Sequence, residues 1–142
     1  MSFTGNHLLI DLFGCTGLGS IAVVERALRD TVTASGATLL DLRLHGFGEG
    51  CGVTGVALLA ESHISIHTWP ERDYAAVDIF LCGHDHDLDG ATAMLVDRLG
   101  ATRKAVRAFA RGYGVVTIAG NEDHPAAYMP PQGHGCPSYG DT

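Results

Sequence analysis

Lysine is nearly absent from this chain, with Lys104 the sole example, and Trp69 is the only tryptophan. Nine Lys and Arg against sixteen Asp and Glu leave a formal charge of −7. So little positive charge gives neither nucleic acid nor an anionic membrane surface an electrostatic footing. No apolar run approaches the roughly 20 residues that span a bilayer. The first residues, MSFTGNHLLIDLFG, lack the basic region of a secretory leader. These absences lead to the expectation of a cytoplasmic domain. CxxC spacing is missing too. Cys15, Cys51, Cys82 and Cys136 lie far apart and are expected as free thiols, not as a disulfide frame or a zinc knuckle. No metal is expected. Proline is scarce until the end: only Pro70 precedes residue 120, whereas 120–142 holds four prolines and four glycines. That segment is expected to be an irregular tail after a single domain over 1–119.

What is present is a chain that is 46% hydrophobic over 142 residues, enough for one packed core. His7–Phe13 reads as a strand broken by Gly14. Residues 17–35 switch to helical period, with Ile21, Val24, Leu28 and Val32 on one stripe and Gly36 as the stop. Ala37–His45 ends in alternation, with Leu40, Leu42 and Leu44 opposing Asp41, Arg43 and His45. Five glycines follow between 46 and 55. Val53–Ala60, Ser62–Thr68 and Tyr74–Cys82 then read as strands. A second helix begins near Asp87 or Asp89, carries Leu88, Ala91, Leu95 and Leu99, and stops at Gly100. Lys104–Ala110 and Tyr113–Ala119 are further strand candidates. Short connections between successive strands predict an α+β two-layer sandwich, a largely antiparallel sheet with two helices on one face.

Three motifs yield to plainer explanations. Gly50-Cys51-Gly52-Val53-Thr54-Gly55 has the letters of G-x-G-x-x-G, but a β-branched run follows where a phosphate-binding helix must open. It reads as a loop whose backbone passes close to something. Asp85-His86-Asp87-Leu88-Asp89-Gly90 imitates half of a calcium loop, but Val96 stands where a bidentate Glu is required. Asp87 and Asp89 instead suit a helix N-terminus, and His84 and His86 a solvated cap. His63 and His67 are four apart, a zinc spacing on a helix, but Ile64, Ser65 and Ile66 alternate as a strand. Both histidines then share one face with Ser65, without an evident carboxylate or thiolate as third ligand.

One stretch resists such a reading. Glu61-Ser62-His63 lies within LLAESHISIHTWPE, and a Trp-Pro turn, Glu71 and YAAVDIFLCG complete the 61–83 stretch. It resembles the self-processing site of the bacterial and archaeal S-adenosylmethionine decarboxylases, small pyruvoyl-dependent enzymes of the polyamine pathway. The resemblance runs over roughly residues 5–111. It implies that the Ser62 hydroxyl attacks the Glu61 carbonyl in an N→O acyl shift. Loss of the residue-62 Cα proton then expels Glu61 as a carboxylate, and loss of ammonia leaves a pyruvoyl group. The products are a β chain of 1–61 and an α chain of 62–142. A carbonyl of this kind serves as the electron sink for decarboxylation. Pyridoxal phosphate needs a lysine anchor, and Lys104 lies far from the motif.

The same resemblance implies that His67 removes the Cα proton during processing, with Thr54 standing where the family usually has an assisting serine. It makes Cys82 the acid that protonates the substrate carbon after carbon dioxide leaves, a role that suits a thiol protonated at neutral pH. Glu71 would hold the ribose hydroxyls and Phe47 would stack on adenine. It further implies a homodimer of processed protomers with sites at or near the subunit boundary. The 45–55 loop departs from the family pattern: it lacks proline, runs one residue longer and carries Glu49, while Asp73 replaces a familiar glycine. Phe47, Glu71 and the intact processing core make S-adenosylmethionine the preferred substrate, whereas a carboxylate in the loop would suit ornithine or arginine, the alternative. An unprocessed regulatory homologue would predict loss of Ser62, His67 or Cys82, and all three are present.

Overall fold

The computed structural model describes residues 5–82 and 85–112. The expected strand over 113–119 and the tail over 120–142 lie outside them. Within the described residues the order is β1 (Gly5–Phe13), α1 (Ile21–Ser35), β2 (Leu39–Gly46), β3 (Val53–Leu59), β4 (Ser62–Trp69), β5 (Tyr74–Cys82), α2 (Leu88–Leu99) and β6 (Arg103–Arg111). The strands form one sheet in the order β2-β3-β4-β5-β1-β6, with every neighbouring pair antiparallel. The expected α+β sandwich is therefore the observed architecture.

Local chemistry sets the helix ends. The Ser20 hydroxyl accepts from Val23 N–H at 3.3 Å, and Gly36 closes α1 at φ 78°. Asp87 caps α2 by accepting from Gly90 N–H at 2.8 Å. The two helices pack together, and Arg98 of α2 reaches Asp30 of α1 at 2.7 Å. The apolar stripe of α1 is rotated from the expected one. Ile21 is 46% exposed, while Ala27, Thr31 and Ser35 join Val24, Leu28 and Val32 in the core. Thr31 and Ser35 tolerate that burial because each hydroxyl donates to a helix carbonyl, Ala27 and Val32 respectively.

Alternation divides each strand between two faces. Leu8, Ile10 and Leu12 of β1, Ile64 and Ile66 of β4, and Val77, Ile79 and Leu81 of β5 are buried with the helices. At Gly55 a Cβ would stand 2.9 Å from Leu28 and 3.2 Å from Ile66, so a glycine lets α1 sit close on β3. The opposite face presents His7, Leu9, Asp11, Thr54, Val56, Leu58, His63, Ser65, His67, Trp69, Asp78 and Cys82. No helix covers it among the described residues. Thr54, Ser62, His67 and Cys82 border this open face or lie at its ends.

Candidate active site

The β3–β4 hairpin turns in two residues, because Leu59 pairs with Ser62 across Ala60 and Glu61. Glu61 takes φ 66°, a left-handed conformation that costs a residue with a Cβ on the order of 1–2 kcal/mol. The strain lies at the bond that the sequence marks for cleavage. The Ser62 hydroxyl folds back over this turn and donates to the Ala60 carbonyl at 3.3 Å. Cys82 ends β5 as a half-buried free thiol, paired in register with Gly5. Because His63 pairs with Phe80, Cys82 belongs to the same end of the sheet as Ser62.

Thr54 and His67 form a cross-strand pair, with Thr54 Oγ1 and His67 Nδ1 3.0 Å apart. His45 is the register partner of Thr54 on the next strand, and its ring meets Phe47 edge-on at 4.8 Å. Phe47 N–H donates to Gly52 C=O at 3.0 Å and closes the 46–52 loop. At Gly52 a Cβ would fall 2.0 Å from the Thr68 carbonyl, which is the close approach the glycine-rich segment was expected to permit. Glu71 lies exposed in a 3-10 turn, Pro70–Arg72, directly after β4. Glu49 is exposed on the loop tip. Cys51 is disulfide-bonded, which overturns the expectation of four free thiols. Spacing along the chain exposes a metal knuckle, but it does not show which distant cysteines a fold brings together.

The expected site residues therefore fall into two groups. Glu61, Ser62 and Cys82 gather at one end of the sheet, and Thr54, His67, Phe47, Glu49 and Glu71 at the other. Ser62 and His67 are five residues apart on β4, a span of about 16 Å at roughly 3.3 Å per residue. Cys82 is six residues from Ala76, the register partner of His67, or about 20 Å. A single copy does not bring them together.

Between the ends runs a polar network that the sequence reading missed. Asp78 accepts from the hydroxyl of Ser65 and from Nε2 of His7 and His63, at 3.0 and 3.2 Å for the two rings. Arg111 donates to His7 Nδ1 at 3.2 Å, which fixes the His7 proton on Nε2. Asp78 is the carboxylate that the His63-Ser65-His67 face seemed to lack. Its signal was an acid in the middle of the apolar strand YAAVDIF. Among the described residues no three His, Cys, Asp or Glu are arranged to hold a metal ion. Tyr74 donates to Asp11, and burial together with that neighbouring carboxylate pushes its phenol far above the usual value. Beside His67 a hollow of about 290 Å³ opens between Asp11, Ser65, Asp78 and Arg107, over the small side chain of Ala76.

A profile of the S-adenosylmethionine decarboxylase family matches residues 6–112. An S-adenosylmethionine decarboxylase proenzyme from Thermomicrobium roseum is 44% identical over 112 residues, covering 79% of this chain and 97% of that relative. One from Methanococcus aeolicus is 48% identical over 101 residues, covering 70% of this chain and 86% of that relative. The crystal structure of an adenosylmethionine decarboxylase from Aquifex aeolicus superposes with a TM-score of 0.70 at 30% identity. It covers 82% of this chain and 98% of that one.

Proposed function

The chain belongs to the S-adenosylmethionine decarboxylase family, and from that premise we propose that it cleaves itself at Glu61–Ser62 and completes its site with residues of a second copy. It is a proenzyme whose mature form decarboxylates S-adenosylmethionine with release of carbon dioxide. The family is pyruvoyl-dependent, and the group, made here from Ser62, supplies the electron sink for the carbon–carbon bond cleavage. The observation that carries the cleavage reading is the left-handed Glu61 directly before a serine whose hydroxyl already bends back over the turn.

The roles follow from chemistry and placement. Ser62 Oγ attacks the Glu61 carbonyl, and the amide becomes an ester. His67 takes the Cα proton of residue 62. Thr54 Oγ1 engages Nδ1 at 3.0 Å, and in the tautomer that carries its hydrogen on Nδ1 the basic nitrogen is Nε2. Cys82 delivers a proton to the substrate carbon that has lost its carboxylate. Phe47 offers adenine an aromatic face, and Glu71 accepts from the ribose hydroxyls. A basic amino acid would need a buried carboxylate for its distal charge, but Glu49 and Asp73 are both exposed. That favours S-adenosylmethionine over ornithine or arginine.

In one copy His67 is too far from Ser62 to act. The open face supports the remedy, because Leu9, Leu58 and Trp69 are 41%, 47% and 37% exposed on it. Two copies packed face to face about a two-fold axis that runs across the strands would set the Ser62 end of each against the His67 end of the other. Complementation tests both parts. Ser62→Ala and His67→Ala chains should each remain whole when purified alone. In mixed dimers the His67→Ala chain, which keeps its serine, should split into 1–61 and 62–142 with a hydrazine-reactive carbonyl. No cleavage in verified mixed dimers would refute the shared site. No cleavage of the wild type would refute the proenzyme reading.

A further inference from the structure

Asp78 holds the hydroxyl of Ser65 and the rings of His7 and His63, and none of the three is a reacting group. One of them, His63, directly follows the residue at the scissile bond. We propose that His63, held by Asp78, is a clamp that keeps residue 62 in place once the 61–62 bond is cut. This positioning role exists only if Glu61–Ser62 is cleaved, and so rests on that reading.

In the whole chain residue 62 is fixed by a covalent bond on each side. Cutting leaves it as the first residue of a chain, and strand ends open most easily. The pairing of β4 with β5 begins at His63, opposite Phe80. Among the described residues, residue 62 therefore has a strand neighbour in β3 alone, at Leu59. The hold comes one residue later. His63 Nε2 lies 3.2 Å from Asp78 Oδ2. Its ring also meets Phe80 at 6.1 Å and His7 edge-on at 6.4 Å between centroids. Asp78 cannot simply follow a departing strand, because the same Oδ2 accepts from His7 at 3.0 Å and Arg111 holds His7 from its other nitrogen. The start of β4 is thereby tied to β5, β1 and β6. The tie consists of side chains, so it survives the cut that removes the turn.

A held chain end matters for turnover. Residue 62 and Cys82 lie at the same end of the sheet, and the proton transfer from Cys82 requires the two to keep their relation. Phe47 and Glu71 belong to the other end, so a loosened chain end should lower kcat and leave KM for S-adenosylmethionine nearly unchanged.

Amide hydrogen exchange along β4, compared in cut and uncut protein, tests the clamp. The His63 side chain is 42% exposed, so His63→Leu should fold with a Tm near that of wild type. In Ser62→Ala protein, which stays whole, adding His63→Leu should change exchange at residues 63–66 by less than about twofold, because the turn still holds the strand. In processed protein the same substitution should speed that exchange by about tenfold, as suits the loss of a hydrogen bond to a carboxylate, and kcat should fall with it. His63→Gln, whose side-chain amide can donate to Asp78, should restore most of both. Equal acceleration in cut and uncut protein would make His63 an ordinary packing residue and overturn the clamp. Wild-type exchange and kcat in processed His63→Leu would overturn it too. A His63→Leu chain that stays whole while wild type cleaves would move the residue to processing, again against the clamp. In those three outcomes the proenzyme reading stands. If wild type itself never cleaves, that reading fails and the clamp falls with it.

Discussion

Glu61 is a glutamate held where a glycine would be comfortable, at φ 66° in the second position of a two-residue turn. The cost, about 1–2 kcal/mol, is released if the acyl shift opens the turn. Glu61→Gly removes the strain while keeping the serine and its carbonyl neighbour. Processing followed by intact mass should slow by up to about tenfold, the equivalent of roughly 1.4 kcal/mol. Cleavage at the wild-type rate would show that the strain contributes nothing. Cys82 offers a cleaner separation of steps. It has no part in the hydroxyl attack on the Glu61 carbonyl, so Cys82→Ala should still yield both chains. Carbon dioxide release should fall by at least about a hundredfold, the usual worth of a positioned acid. Unchanged turnover would reduce Cys82 to a small residue at a strand end.

At the scale of elements, the site depends on how the β3–β4 hairpin is fastened at the His67 end. Thr68 sits between His67 and Trp69, but faces the helices and is 5% exposed. Its hydroxyl donates to Leu18 C=O at 2.7 Å and accepts from Val53 N–H at 2.8 Å, so one side chain joins the β1–α1 loop, β3 and β4. Thr68→Val keeps the shape and leaves both backbone groups without that partner. Such groups cost about 1–3 kcal/mol each when buried and unsatisfied. Thermal unfolding should show a clear drop in Tm, and Thr68→Ser should recover most of it. The elements were largely legible in the sequence because alternation and helical spacing are read residue by residue. Ile21 shows the limit: its spacing placed it on the core stripe, but at the first turn of α1 it projects past the sheet toward Gly46.

For the whole molecule, the deciding feature is a sheet with helices on one face only among the described residues. Leu58 projects from β3 on the other face, on the same side as Thr54 and Val56. It is 47% exposed in a single copy, so Leu58→Lys should cost the isolated fold little. A lysine pressed into a face-to-face interface must be desolvated. This variant should therefore unfold near the wild-type temperature, sediment as a monomer and leave its 61–62 bond uncut. A dimer that still cleaves at the normal rate would place the subunit contact elsewhere.

The sequence alone determined the order of the described strands and helices and the family to which the chain belongs. Each of these depends on neighbours a few residues away, and LLAESHISIHTWPE keeps its chemistry within a short span. It also made Ser62 and His67 look like partners, because five residues is a short distance in a string of letters. Only the tertiary structure decided otherwise. Those five residues form a β-strand, which rises about 3.3 Å per residue where a helix would rise about 1.5 Å. The two side chains therefore stand at opposite ends of the sheet. The Asp78 network was hidden for a related reason: its partners come from other strands. Pairing across a fold is set by register and closure, which no local pattern of residues encodes.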